Sequence, residues 1–448
     1  MRKIVRGCSA LTLVALMPLA GATMASAEDT DKVVTGTELA PAEAAITKVL
    51  RVAQGVKLPA NGINYKFTVA PVKFEGSADT TFPAPGSNGE VVVNISETSS
   101  SATATGPGDA DVYKAQSQSL FSSTGAFSGK TWPKAGVYEY KVTEATPADW
   151  VASQVGTEDL SYSSAEYKLV VYVENGQNSG DLYVSAITAT RLTADDGTQD
   201  GEKVDPGAGN GTNLFSGLAF TNEYGMTTNP TLPPDSSSGY DASVTKLVAG
   251  ARADQTKYFD FAVTLTVPPV NGYSSQTYKA YVVNAATGAV ETAAANAGDK
   301  ASVVPGDAGG DPNAHFVFAP GSVKNIKLKH NQSLAFVGLP YASSLSVTEA
   351  ATPNYRATPI TSTGQTPDAA NAQPAACGEN TACTATLAPV GASAKDLTYT
   401  NTRTDNAGET PTGLDLNDAA YWAMIVLAGA AMIGFVVLRV RKSKRAAA

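Results

Sequence analysis

Histidine and cysteine are the scarce residues of this 448-residue chain, which holds two of the first, His315 and His330, and three of the second. Metal-dependent hydrolysis and serine–histidine acyl transfer both need such side chains at defined spacings. No H-E-x-x-H, G-x-S-x-G or phosphate-loop pattern is present. Asp307 and Asp311, in GDAGGDPNAH, lack the spacing of an EF-hand and read as a solvated turn. No turnover enzyme is expected, and no metal or cofactor. Cys8 precedes the N-terminal apolar run instead of following it, so it is not a lipid-attachment cysteine. Cys377 and Cys383, in AACGENTACT, are the two cysteines outside the N-terminal segment and have no others there with which to complete a zinc site. They are expected to form a disulfide across a small loop. Basic charge is also short, with 32 Lys and Arg against 41 Asp and Glu. The formal charge of −9 includes +3 at each end, so the segment between carries −15. Such a surface repels nucleic acid and anionic lipid.

The ends carry the first positive signals. MRKIVRG holds three positive charges, Leu11 to Ala22 is apolar but for Thr12 and Pro18, and Ala25-Ser26-Ala27 is a small-x-small cleavage pattern. That order predicts a secretory signal peptide over 1–27, a mature start at Glu28 and a linker over 28–42. At the other end Ala419 to Leu438 is uncharged, matching the roughly twenty helical residues that cross a bilayer. RVRKSKR follows, which assigns this basic tail to the cytoplasmic side and makes 414–448 a hydrophobic anchor with a basic tail. Just upstream, a linker over 404–413 holds Glu409, Thr410, Pro411, Thr412 and Gly413. Pro-Thr-Gly, an apolar span and a basic tail in that order resemble the sorting signal of Gram-positive sortases. The usual form is Leu-Pro-x-Thr-Gly, and this one is closer to a Glu-Val-Pro-Thr-Gly variant. The resemblance implies cleavage between Thr412 and Gly413, with the Thr412 carbonyl passed to an amine. An ordinary single-span anchor behind a turn-rich linker is the alternative.

Between the ends, short runs alternate β-branched or aromatic residues with polar ones, as in Tyr65 to Val69, Tyr138 to Val142 and Tyr167 to Val173. This period of two, punctuated by Gly, Pro, Ser, Asn and Asp, predicts β-sandwiches. Gly225 to Tyr240 is rich in Pro, Ser and Thr and marks a linker over 226–240. One plan repeats on its two sides. ITKVL, YEYKVTEA and LAFTNEY appear in order over 43–225, and SVTKLV, SLSVTEA and LTYTNTR over 241–403.

Side chains two apart on a strand share a face. On that rule Lys48 lies with Ile46 and Leu50, Glu144 with Tyr140 and Val142, and Asn222 with Leu218 and Phe220. In the second copy Lys246, Glu349 and Asn401 lie with Val244, Val347 and Tyr399. All six polar residues fall on apolar faces, where Lys and Glu are rare without partners. Two readings follow. One is a buried Lys–Glu ion pair with Asn as hydrogen-bond filler. The other is chemistry: desolvation lowers the proton affinity of lysine and raises that of glutamate. A neutral amine then attacks the Asn carboxamide, the acid donates to its oxygen and shuttles protons, ammonia leaves and a Lys–Asn isopeptide bond remains.

These residues resemble those of two-domain streptococcal backbone pilins with intramolecular isopeptide bonds. The likeness rests on the T-K openings, GVYEYKVTEA and LPYASSLSVTEA, the closing FTN and YTN, and the E-x-P-T-G motif. It implies an all-β chain of two tandem immunoglobulin-like sandwiches of the collagen-adhesin B type, linking Lys48 to Asn222 and Lys246 to Asn401 with Glu144 and Glu349 as acids. It further implies a covalent pilus shaft at the cell surface, whose partners are a sortase (class C-like or housekeeping), neighbouring subunits and peptidoglycan, with no ligand identified. Lys203, in GTQDGEKVDPGAGNGTN, is the candidate polymerisation nucleophile, an ordinary loop lysine being the alternative; no Tyr-Pro-Lys-Asn motif occurs. Lys134, in TWPKAGVY, is read as serving the turn before the acid strand. A monomeric wall-anchored adhesin with the same stalk is the competing functional reading.

Overall fold

Alternation decides the architecture: along Ile63–Phe74, residues Ile63, Tyr65, Phe67 and Val69 are buried while their neighbours reach outward. The computed structural model describes residues 32–403 except 85–89, 105–108, 123–124, 150–156, 209–214, 229–239, 292–302, 305–310, 312, 364–376 and 392–393. The signal segment 1–27, Asp307, most of the 226–240 linker, the motif Glu409 to Gly413 and the apolar span after it lie outside the described residues. Among the described residues no helix is long and apolar enough to cross a membrane.

Among the described residues the fold is all-β, with four sheets. The first half begins with β1 Val33–Thr35, β2 Thr47–Ala53, β3 Ile63–Phe74, β4 Glu90–Ile95, β5 Ser100–Ala102 and β6 Ala110–Gln116. It continues with β7 Gly136–Asp149, β8 Thr157–Ser161, β9 Glu166–Asn175, β10 Leu182–Thr193, β11 Lys203–Val204 and β12 Ala219–Thr227. One sheet has the order β1-β10-β9-β7-β3-β4 with β11 on β10, and the other β5-β6-β2-β12-β8. They pack face to face, with the Phe67 and Phe220 ring centroids 4.9 Å apart across the gap.

The second half opens with β13 Ala242–Ala249, β14 Phe259–Thr266, β15 Tyr278–Asn284, β16 Val303–Val304, β17 His315–Phe318 and β18 Val323–Leu328. It closes with β19 Gln332–Val337, β20 Ser344–Glu349, β21 Tyr355–Thr363, β22 Cys383–Leu387 and β23 Lys395–Arg403. Its sheets run β16-β17-β15-β19-β13-β23-β21 and β18-β14-β20-β22. Phe261 and Tyr399 bridge them edge to face at 5.4 Å. In each half the strand that carries the lysine and the last strand pair parallel, β2 with β12 and β13 with β23.

Three stretches expected as linker or loop are strand. Val33–Thr35 pairs antiparallel with β10, placing Val33 opposite Thr188 and covering an otherwise open sheet edge. Met226 and Thr227 extend β12, and Met226 is buried. Lys203 sits in β11, opposite Thr190, and its carbonyl accepts the Lys32 ammonium at 2.8 Å.

The end of β12 docks on the second half. The carbonyl of Met226 accepts the Tyr341 N–H at 2.8 Å, and Glu223 Oε2 accepts the Asn271 N–H at 2.6 Å. Asn271 adopts a left-handed φ of 52°, which Asn tolerates better than most residues, and its side chain donates to the Asp159 carbonyl at 2.9 Å. Gly225 makes this approach feasible. A Cβ there would lie 2.7 Å from the Tyr273 hydroxyl and 2.8 Å from its ring. Gly225→Val is therefore expected to push the halves apart locally at a cost of about 1–3 kcal/mol. Hydrogen exchange should accelerate at the Asn271 and Tyr341 amides and stay unchanged along β2 and β13.

Candidate functional site

Each half buries a lysine, a glutamate and an asparagine in one cluster. On β2 the buried pattern brings Lys48 inward, fully shielded from solvent. The parallel register sets Phe220 opposite Lys48, so Asn222, two residues further along the same face of β12, lies diagonal to the lysine. Glu144 comes from the facing sheet, on β7 opposite Phe67. Lys48 Nζ donates to Glu144 Oε1 at 2.9 Å, and Asn222 Nδ2 donates to the same oxygen at 2.8 Å. Both charged side chains are 0% exposed.

The second half repeats the arrangement. Tyr399 lies opposite Lys246 in the parallel register, with Asn401 two residues on, and Glu349 faces them from β20. Lys246 Nζ reaches both Glu349 oxygens at 3.0 Å, and Asn401 Nδ2 donates to Oε1 at 2.5 Å. Aromatic rings floor both lysines: Nζ of Lys48 is 4.6 Å from the Tyr65 centroid, and Nζ of Lys246 is 4.3 Å from that of Phe259. Such contacts favour the cation, whereas the lack of water opposes it.

Burial dominates. It lowers Lys48 and Lys246 from 10.5 to about 8, against the pull of the paired glutamates. It raises Glu144 and Glu349, again against their lysines. The amine and the acid are thus drawn toward each other in proton affinity, so that exchange of one proton along a 2.9–3.0 Å contact costs far less than in water. One carboxylate oxygen touches both the amine that would give up a proton and the carboxamide nitrogen that would receive one.

Both halves depart from the expected role of the acid in one respect, since each carboxamide turns its nitrogen and not its oxygen toward the glutamate. The carbonyl oxygen of Asn222 faces not Glu144 but the backbone N–H of Ser163, at 2.7 Å. A backbone N–H can only donate, which fixes the amide with its nitrogen toward the carboxylate. Neither Ser163 nor its partner Asp195 stood out in the sequence, because both sit between strands where no periodicity reports on direction.

The other expected residues are not members of these clusters, though the disulfide adjoins the second. Cys377 and Cys383 form a disulfide with Cα atoms 5.7 Å apart. Cys383 lies opposite Glu349, and the Cys377 N–H donates to Ala357, the neighbour of Asn401 across the β21–β23 pairing. Lys203 is half-buried on β11. Asp311 is more than a solvated turn: it accepts the Lys279 ammonium at 3.0 Å and the Tyr281 hydroxyl, beside His315. Lys134 supplies its carbonyl to the Tyr138 hydroxyl at 2.6 Å in the turn before β7. Among the described residues no group of three His, Cys, Asp or Glu is placed to hold a metal.

Residues 241–381 match a family described as a domain of unknown function, DUF7601. No curated protein matches the chain. Among solved structures the chain is similar to the major pilin of Streptococcus pyogenes, at 17% identity and a TM-score of 0.27, over 81% of this chain and 99% of that one. It is similar also to the major pilin T3.2 of S. pyogenes serotype GAS13637, at 17% identity and a TM-score of 0.27, over 83% and 99%. A third likeness is to the pilus-presented adhesin Spy0125 (Cpa), at 16% identity and a TM-score of 0.22, over 54% of this chain and 36% of that one. At these TM-scores the likenesses carry no weight for function, which has to be read from the clusters themselves.

The electrostatics can be checked in a chain carrying Asn222→Ala and Asn401→Ala, which keeps both Lys–Glu pairs and removes the carboxamides. Folded lysine loses its proton near pH 8, while an unfolded one holds it to about 10.5. The unfolded chain then binds more protons across that window, so stability rises with pH, by at most about 1.4 kcal/mol per pH unit per lysine. Denaturant unfolding at pH 8, 9 and 10 should show the rise once the opposing fall from the buried tyrosines, which hold their protons to higher pH when folded, is subtracted. Adding Lys48→Met and Lys246→Met should abolish it, with the tyrosine contributions common to both chains.

Proposed function

We propose that the chain is a structural shaft subunit of a covalent, sortase-assembled pilus on a Gram-positive cell surface, with a Lys–Asn isopeptide bond closing each half. A single observation carries the reading: in both halves one buried glutamate oxygen receives hydrogen bonds from a lysine near the start, on β2 or β13, and an asparagine on the last strand. The halves are taken as tandem immunoglobulin-like domains, 43–225 with the added β1 strand and 241–403.

The chemistry balances within each cluster. Lys48 passes a proton to Glu144, and its neutral Nζ attacks Cγ of Asn222. Glu144 delivers its proton to Nδ2 and takes another from the attacking nitrogen as the Cγ–Nδ2 bond breaks. Ammonia leaves, the amide remains and the carboxyl ends protonated. Lys246, Glu349 and Asn401 follow the same course. Each event happens once, assisted by proximity instead of by a separate catalyst.

The position of the bonds supports a mechanical role. Parallel strands pulled from opposite ends are loaded in shear, and a covalent tie between them takes that load from the hydrogen bonds. The tie also lowers the entropy of the unfolded chain, by on the order of 5 kcal/mol in the loop-closure picture. Sorting at Thr412, by a class C-like or housekeeping sortase, would then join the subunit to an amine of the next or to peptidoglycan. Lys203 is the candidate amine.

Two measurements test the proposal. Intact mass of the folded ectodomain should fall short of its formula by two ammonias, and Lys48→Ala and Lys246→Ala should each restore one; a full formula mass overturns the cross-links. Immunoblots of cell-wall extracts should show a ladder resistant to sodium dodecyl sulfate, shortened to one band by Lys203→Arg. A single band from the unaltered chain would instead favour a monomeric wall-anchored adhesin.

A further inference from the structure

The two clusters share residues but not surroundings, and the difference lies at the oxygen of the carboxamide. In the first half, the Asn222 oxygen accepts the Ser163 N–H at 2.7 Å, and that N–H also lies 3.3 Å from Glu144 Oε2. Ser163 is itself held. Its hydroxyl donates to Asp195 Oδ1 at 2.5 Å and accepts the Ala165 N–H at 3.0 Å. The same Asp195 oxygen accepts the Thr221 N–H, 2.8 Å away on the residue before Asn222, and the Asp195 carbonyl accepts the Ser164 N–H at 3.0 Å. Asp195 therefore ties the Ser163 loop to the strand that carries the reacting asparagine. In the second half, the Asn401 oxygen is buried and has no hydrogen-bond partner among the described residues.

Attack of an amine on a carboxamide moves an electron pair onto that oxygen. In the tetrahedral intermediate the oxygen carries the negative charge, and a donor already aimed at it in a dry site lowers the barrier. Resting on the cross-linking reading above, we infer that the Ser163 N–H is an oxyanion donor for the Lys48–Asn222 reaction, with Asp195 as the residue that positions it. The electron pair returns from the oxygen as the Cγ–Nδ2 bond breaks, and the proton from Glu144 leaves with the ammonia. Among the described residues the second cluster has no counterpart of this donor.

The test follows both bonds in one molecule. Full-length chain is synthesised in a cell-free system, quenched in denaturant at intervals and digested, and the two cross-linked peptides are quantified by mass spectrometry. Ser163→Pro, which removes the N–H, should slow the Lys48–Asn222 bond about 100-fold relative to the Lys246–Asn401 bond. Asp195→Ala should also slow the first bond alone, and Asp195→Asn, which keeps an acceptor for both Ser163 and Thr221, should restore it. A folded Ser163→Pro chain that closes the first bond at the unaltered rate overturns the inference. If near-ultraviolet circular dichroism shows that Ser163→Pro does not fold, the Asp195 pair decides. Equal first-bond rates in Asp195→Ala and the unaltered chain then overturn it. Failure of the unaltered chain to lose ammonia at all would reject the cross-links themselves and is read from the same samples.

Discussion

Everything distinctive in this chain depends on two ammonium–carboxylate pairs held away from water. Burying a lone lysine or glutamate costs several kcal/mol, and even a paired one is no better for stability than well-packed apolar residues. A sandwich interior that spends two positions per half on such groups gains little from them as packing. A third group, a carboxamide, shares the same carboxylate oxygen, and in the proposed cross-linking this is what the costly burial serves. The low polarity that makes the pair costly also makes the amine nucleophilic and the acid able to donate.

The halves show how much of this arrangement belongs to the common plan. Both set the lysine and asparagine on parallel neighbours, bring the glutamate from the facing sheet and floor the amine with aromatic rings. They differ at the periphery. Tyr65 beneath the first amine is matched by Phe259 beneath the second. The first carboxamide is oriented by a loop, whereas the disulfide of the second half lies alongside its acid strand. Both peripheral devices bridge the same gap between sheets, one by hydrogen bonds and one by a covalent link.

The inward direction of the six polar residues was legible because a strand leaves only two choices, and the apolar neighbours of Lys48, Glu144 and Asn222 mark the inner one. The repeat was legible for the same reason, since it consists of three strands with their direction marked. Ser163 and Asp195 were not, because a turn residue can point anywhere and nothing local encodes a partner thirty residues away. Val33–Thr35 was too short to register as a period, and Lys203 lies among glycines that conceal a two-residue pairing with β10. The orientation of the Asn222 amide depends on a backbone donor, which every residue except proline supplies and which therefore leaves no compositional trace.

The parallel course of the paired strands has a consequence for how the molecule threads. With β2 and β12 running the same way, the polypeptide enters β2 at one pole of the first half and leaves β12 at the other, and β13 with β23 does likewise in the second. An antiparallel pair would have brought entry and exit together, where traction peels hydrogen bonds one by one. Here every rung must yield at once, which makes the shortest route through each half also its stiffest.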